Sequence, residues 1–90
     1  MSELLESDIE RPAHLYAESR GWIAFKIMRT SVKGFPDHFF ARAGRIILIE
    51  FKKPGKGART QQEKRHRELR EKGVEVFVVD DLDDAKRILK

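Results

Sequence analysis

The sequence predicts an α/β (α+β) domain in which a mixed central sheet is flanked by helices. Three observations carry this. Elements alternate in the order αβββαβα. The most apolar run, Ile46-Ile47-Leu48-Ile49, is apolar on both faces, so it needs a packed layer on each side. A helical pattern separates the third and fourth strands, which lets the chain return in the same direction and pair in parallel.

The elements follow from their residues. Residues 8–20 read as a helix with Ser7 or Asp8 as cap and Ile9, Ala13, Tyr16 and Ala17 as its inner stripe. Pro12 is tolerated only in a first turn, which predicts a late start. Gly21 stops the helix. "WIAFKIM", 22–28, is a strand, and "SVKG", 31–34, a turn. "PDHFFAR", 36–42, and residues 45–53 are strands joined as a hairpin by Ala43-Gly44. Pro54, Gly55 and Gly57 end the third strand. Residues 60–72 form a helix closed by Gly73, "VEVFVV", 74–79, is the fourth strand, and "DLDDAKRIL", 81–89, is the last helix. Asp80 or Asp81 caps that helix, and Leu82, Ala85, Ile88 and Leu89 form its inner face. Trp22, Phe25, Phe39, Phe40 and Phe77 read as core residues rather than stacking platforms for bases.

Ninety residues predict a single domain, 1–90. The chain has no cysteine. No stretch approaches the roughly 20 apolar residues of a membrane span. The acidic start, "MSELLESDIE", is not a signal peptide, so the expected location is the cytoplasm, or a host cytoplasm if the gene is a phage's. The formal charge is +4, and its distribution says more than its total. Residues 52–72 carry nine Lys and Arg against three Glu, whereas residues 1–19 carry five acids against Arg11 alone. Such a patch attracts polyanions such as nucleic acid, although a solvated helix has the same composition. "GKG", 55–57, lacks the rest of a P-loop, so no nucleotide cofactor is expected. His14, His38 and His66 have no metal-ligand spacing, which argues against zinc.

The third strand poses the functional question. Ile46, Leu48, Glu50 and Lys52 share one face, so an apolar row turns abruptly to charge. Glu50 and Lys52 stand about 6.6 Å apart along the strand. Asp37 and Glu50 are roughly equidistant from the hairpin turn and are candidates to meet across the ladder. Two adjacent carboxylates at the end of a buried strand repel each other and lose hydration. A divalent cation offsets this, and oxygen-only ligands select Mg²⁺ or Mn²⁺. A lysine beside them can activate a water or stabilise charge on a phosphate. The same spacing also fits a Lys–Glu ion pair on a strand that has emerged into solvent. On helix 60–72, Leu69 is the sole apolar residue, so the stripe Gln62, Arg65/His66, Leu69 must face the sheet and turn Gln62 inward. Lys26, on the first strand, lies near the same end.

Gly34-Phe35-Pro36-Asp37, twelve intervening residues, then Ile49-Glu50-Phe51-Lys52-Lys53, resembles the signature of the PD-(D/E)XK nucleases. With Glu10 in the early helix and Gln61-Gln62 opening a later one, it is similar in particular to the VRR-NUC (virus-type replication-repair nuclease) group. The resemblance spans about residues 6–80 and implies a restriction-endonuclease-like αβββαβ core. It implies a metal-dependent endonuclease acting on DNA, branched or duplex, with Holliday junctions as the favoured substrate and a homodimer as the active form. By position, Asp37 and Glu50 would ligate Mg²⁺ or Mn²⁺ with the Phe51 carbonyl, Lys52 would be the catalytic lysine, and Gln62 would hold a water or a phosphate oxygen. Glu10, or Glu6 in its place, would touch the metal or its waters. Lys26, Lys53, Lys56, Arg59, Lys64 and Arg65 would contact DNA.

Overall fold

The structure is a computed structural model that describes residues 5–55 and 60–90. Three helices and four strands follow in the order α1 (Ser7–Ser19), β1 (Ile23–Lys26), β2 (His38–Arg42), β3 (Arg45–Phe51), α2 (Thr60–Glu71), β4 (Glu75–Val79) and α3 (Leu82–Leu89). The sheet order is β1-β2-β3-β4. The first two pairings are antiparallel and the β3–β4 pairing is parallel, as the helical crossover requires. This mixed sheet with its three helices is the α+β architecture expected from the sequence.

Alternation along the strands divides the core. Ile47, Ile49 and Phe51 of β3 join Phe40, Val79 and Trp22 with Ile9, Ala13 and Ala17 of α1 and Ala85 and Leu89 of α3. Helices α1 and α3 therefore cover one face. Leu48 and Val76, paired across β3 and β4, are buried on the other face, where α2 packs against β4 and places His66. That second cover is incomplete. Ile23, Phe25 and Ile46 are each more than half exposed. Phe25, expected in the core, instead stacks on Phe39 with centroids 5.1 Å apart. The reason lies in α2, whose single leucine is too little apolar surface to reach across all four strands.

Helix α1 departs from expectation at its start. It begins at Ser7 with Glu6 as N-cap, so Pro12 sits well inside it. An interior proline costs about 3 kcal/mol through a lost hydrogen bond and a clash. Here the carbonyl left without its donor belongs to Asp8, which is exposed to water, and burial of Ile9, Ala13 and Ala17 holds the helix in place. At the other end Trp22 N donates to Ala17 O (3.0 Å) and Gly21 N to Glu18 O (3.1 Å), a Schellman closure that needs the positive φ of Gly21. Helix α3 is capped by Asp81, whose carboxylate accepts from Asp83 N. No helix among the described residues is long and apolar enough to cross a membrane.

Candidate active site

The β2–β3 hairpin sets the geometry. Ala43 and Gly44 both have positive φ, 50° and 81°, as a two-residue hairpin turn with the native twist requires. Arg42 therefore pairs with Arg45 and His38 with Ile49. One step further along the same register, Asp37 faces Glu50. Strand β2 starts at His38 rather than at Pro36, and β3 ends at Phe51 rather than at Lys53. Pro36 has no N–H to give a ladder. Even so, backbone bonds continue past both ends, from Ile27 N to Asp37 O (2.7 Å) and from Lys52 N to Val79 O (2.9 Å). Asp37 and Lys52 are thus held almost as firmly as strand residues.

Glu50 and Lys52 have not emerged into solvent. They are 5% and 8% exposed, with Lys52 Nζ 3.6 Å from Glu50 Oε2. This excludes a surface ion pair and leaves a buried constellation. Burial, reinforced by the charge of Asp37, pushes the Glu50 carboxyl up to about 7. Burial, then Glu10, pushes Asp37 up to about 6. The charge of Glu6 acts on both groups, so Glu10 of α1 and its N-cap Glu6 both lie within electrostatic reach of the site. Asp37 Oδ1 and Glu50 Oε1 are buried without a hydrogen-bond partner. Buried carboxylate oxygens in that state call for a cation or a water.

The donor set suits a hard divalent ion. Among the described residues, no three His, Cys, Asp or Glu side chains gather closely enough to cage a metal by themselves. Mg²⁺ does not require such a cage, since it keeps several waters and binds through one or two carboxylates. Two facing acids with orphaned oxygens, next to a main-chain carbonyl, match that demand.

Gly34 sets the loop before Asp37 against the start of α2, where Gln61 and Gln62 stand. A Cβ on Gly34 would lie 2.7 Å from Gln61 O and 3.2 Å from Gln62 Cα, and its φ is +78°. Only glycine lets the loop before Asp37 press against the first turn of α2. Arg65 ties the same two segments, donating from Nε to Lys33 O (3.2 Å). Gln62 is half-buried while Gln61 is exposed, as the stripe argument required.

The cations divide. Lys53 and Lys64 are exposed. Lys26 is exposed at the end of β1, with Nζ 3.5 Å from Glu10 Oε1. Arg65 is engaged within the protein, bonding Glu68 at 2.6 Å as well as Lys33. Arg70 likewise donates twice to Val76 O and fastens α2 to β4. Lys56 and Arg59 lie outside the described residues.

Sequence reasoning missed the histidines on the α1 side. His38 is 1% exposed, and His14 Nε2 lies 2.7 Å from its Nδ1. Its Nε2 is 3.3 Å from Glu10 Oε2 and 3.6 Å from Asp37 Oδ1. Burial lowers His38 to about 4 and His14 and His66 below their ordinary value. An open pocket of about 280 Å³, lined by Glu10, Arg11, His14, Lys26 and His38, lies beside them. Residues 24 apart in sequence give no spacing signal. Only the seating of α1 on β2 brings them together.

No family model matches the chain. The chain is 36% identical over 86 residues to "Putative nuclease p44" of Acyrthosiphon pisum secondary endosymbiont phage 1, covering 92% of this chain and 90% of the phage protein. In fold it is similar to a solved structure described as "VRR_NUC domain", with a TM-score of 0.83 and 24% identity over 92% of this chain and 91% of that one.

Proposed function

The chain belongs to the VRR-NUC family, and on that premise we propose that it is an Mg²⁺- or Mn²⁺-dependent endonuclease that hydrolyses phosphodiester bonds in DNA. The observation that carries this reading is the charged end of β3, where Glu50 and Lys52 are buried together opposite Asp37, with two carboxylate oxygens lacking partners.

In this reading Asp37, Glu50 and the Phe51 carbonyl would hold the ion, with Glu10 or Glu6 reaching it or its waters. A bound ion supplies positive charge at the phosphate and acidifies a water. The remaining work falls to the chain. The Lys52 ammonium, fixed by burial and by Glu50, faces the charge that grows on the phosphate as the nucleophile attacks. In its neutral form the same amine can take a proton from the attacking water. Gln62, half-buried at the start of α2 beside the loop before Asp37, orients that water or a phosphate oxygen. Lys26, Lys53, Lys64 and the basic stretch that includes Lys56 and Arg59 draw the backbone of the nucleic acid towards the site. Arg65 serves this role indirectly, by holding the loop before Asp37 on α2. The likeness to a phage protein is consistent with action in a host cytoplasm.

Branched DNA is the proposed substrate class. A four-way junction needs two incisions and one chain offers one such site, so a homodimer is the expected form. The test is a gel panel of duplex, flap, splayed-arm and four-way DNA with Mg²⁺, Mn²⁺ or EDTA. We expect cleavage with either ion, strongest on four-way DNA, and none in EDTA. Full cleavage in EDTA would contradict the metal mechanism. Tight binding without cleavage under every condition would leave a non-catalytic binding module.

A further inference from the structure

His38 stands apart from Asp37, Glu50 and Lys52, on the opposite face of the sheet. It pairs with Ile49 and packs its ring edge-on against Phe51, with centroids 4.8 Å apart at 90°. An aliphatic side chain would suit that place, and nothing in the mechanism above uses an imidazole there. Yet both of its nitrogens are aimed at polar atoms. Nδ1 lies 2.7 Å from His14 Nε2. Nε2 lies 3.3 Å from Glu10 Oε2 and 3.6 Å from Asp37 Oδ1.

Nε2 completes no hydrogen bond with either acid, but its surroundings fix where the proton sits. Ionised carboxylate oxygens only accept hydrogen bonds, so Nε2 facing two of them carries hydrogen. A neutral imidazole carries one hydrogen, so Nδ1 then accepts from His14 Nε2–H. The same contacts speak against one metal ion held by both imidazoles, because His38 meets its histidine partner through one nitrogen and the acids through the other. Glu10 is gripped from two sides, by Lys26 on Oε1 and by His38 on Oε2.

We infer that His38 is a positioning residue, whose Nε2–H, 3.3 Å from Glu10 Oε2, orients the Glu10 carboxylate beside Asp37 for the divalent ion while His14 fixes the imidazole from behind. The inference rests on the metal-dependent reading above. It extends that site through the sheet to Glu10 on α1. Donors behind carboxylate ligands commonly alter metal affinity by about 10- to 100-fold.

The test is Mn²⁺ binding to the full chain without DNA, followed by electron paramagnetic resonance, with the melting temperature recorded for each protein. The parent, Asp37→Asn, His38→Leu, His38→Gln and His14→Leu are compared. His38→Leu keeps the packing against Phe51 and removes the donor. It should weaken Mn²⁺ binding about 10-fold or more without lowering the melting temperature. His38→Gln, which regains an N–H donor, should recover part of the loss. If His38→Leu fails to fold, His14→Leu carries the test and should weaken Mn²⁺ binding by a smaller factor. A parent that binds Mn²⁺, an Asp37→Asn that does not, and His38 and His14 variants that bind as tightly as the parent would overturn the role of His38 alone. A parent that binds no Mn²⁺, or an Asp37→Asn that binds as well as the parent, would overturn the metal site and the role of His38 with it.

Discussion

Glu50 shows at the scale of one residue how function opposes stability. Its carboxyl is buried beside Asp37 and is raised from an ordinary 4.5 to about 7. A carboxyl whose folded value exceeds its unfolded one binds a proton on folding. Its contribution is therefore full below about pH 4.5 and is lost as pH rises through about 7. Asp37, raised from 3.8 to about 6, runs the same way over a slightly lower window. His14, His38 and His66 are lowered from 6.5 and run oppositely, gaining stability as pH rises towards 6.5. Between pH 6.5 and 8 the acids act alone. Without metal, Glu50→Gln should therefore melt above the parent at pH 8, by about 5 °C, and the gap should shrink towards pH 5. Mg²⁺ should raise the melting temperature of the parent more at pH 8 than at pH 6, because the ion needs ionised ligands. Calorimetry with and without Mg²⁺ measures both. Equal metal shifts in the parent, Asp37→Asn and Glu50→Gln would show that neither carboxylate is a ligand.

Among the elements, the loop from Ser31 to Asp37 matters most to the site, because it brings α2 against the hairpin. Gly34→Ala would set a methyl 2.7 Å from the Gln61 carbonyl at a φ of +78°. Neither the backbone atom nor the dihedral can yield cheaply, so α2 must shift and take Gln62 with it. We expect a loss of about 1–3 kcal/mol in stability and a larger fractional loss in cleavage. Urea unfolding beside a cleavage assay checks this, and unchanged values for both would mean the contact is incidental. This element was only partly legible beforehand. The pairing of Asp37 with Glu50 could be read because a two-residue turn leaves one register, and counting outward from it requires no tertiary knowledge. The greater burial of Gln62 than of Gln61 could be read because α2 has one leucine and so one possible inner stripe. The histidine contacts could not be read, since they depend on which turn of α1 lies over which residue of β2. Pro12 misled for the same reason, its local cost being outweighed by packing that is visible only in three dimensions. Arg65 read as a DNA contact, whereas it bonds the Lys33 carbonyl and Glu68 within the protein, and the carbonyl is a partner that sequence does not display.

For the molecule as a whole, the balance of charge sets how DNA is met. Lys53 and Lys64 are exposed, and the basic stretch that follows β3 continues towards α2. If these groups meet phosphates, binding should fall linearly on a log–log salt plot, and Lys53→Ala or Lys64→Ala should each reduce the slope by about one. Arg65→Ala should instead lower stability, because it removes two internal bonds. Two copies would present two basic surfaces and two sites, which suits a four-way junction better than a duplex. Sedimentation at micromolar concentration, with and without junction DNA, should show a dimer in at least one condition. A monomer in both would leave a nicking or flap-cutting enzyme. The claim on which all of this depends is that the charged end of β3 performs the chemistry, and single-turnover cleavage with Mg²⁺ by Lys52→Ala, alongside its DNA affinity, tests it most directly. We predict a fall in rate of about 100-fold or more with affinity nearly unchanged, as expected for a group acting on the transition state. A rate close to the parent's would show that Lys52 is only a buried partner of Glu50 and would contradict the account.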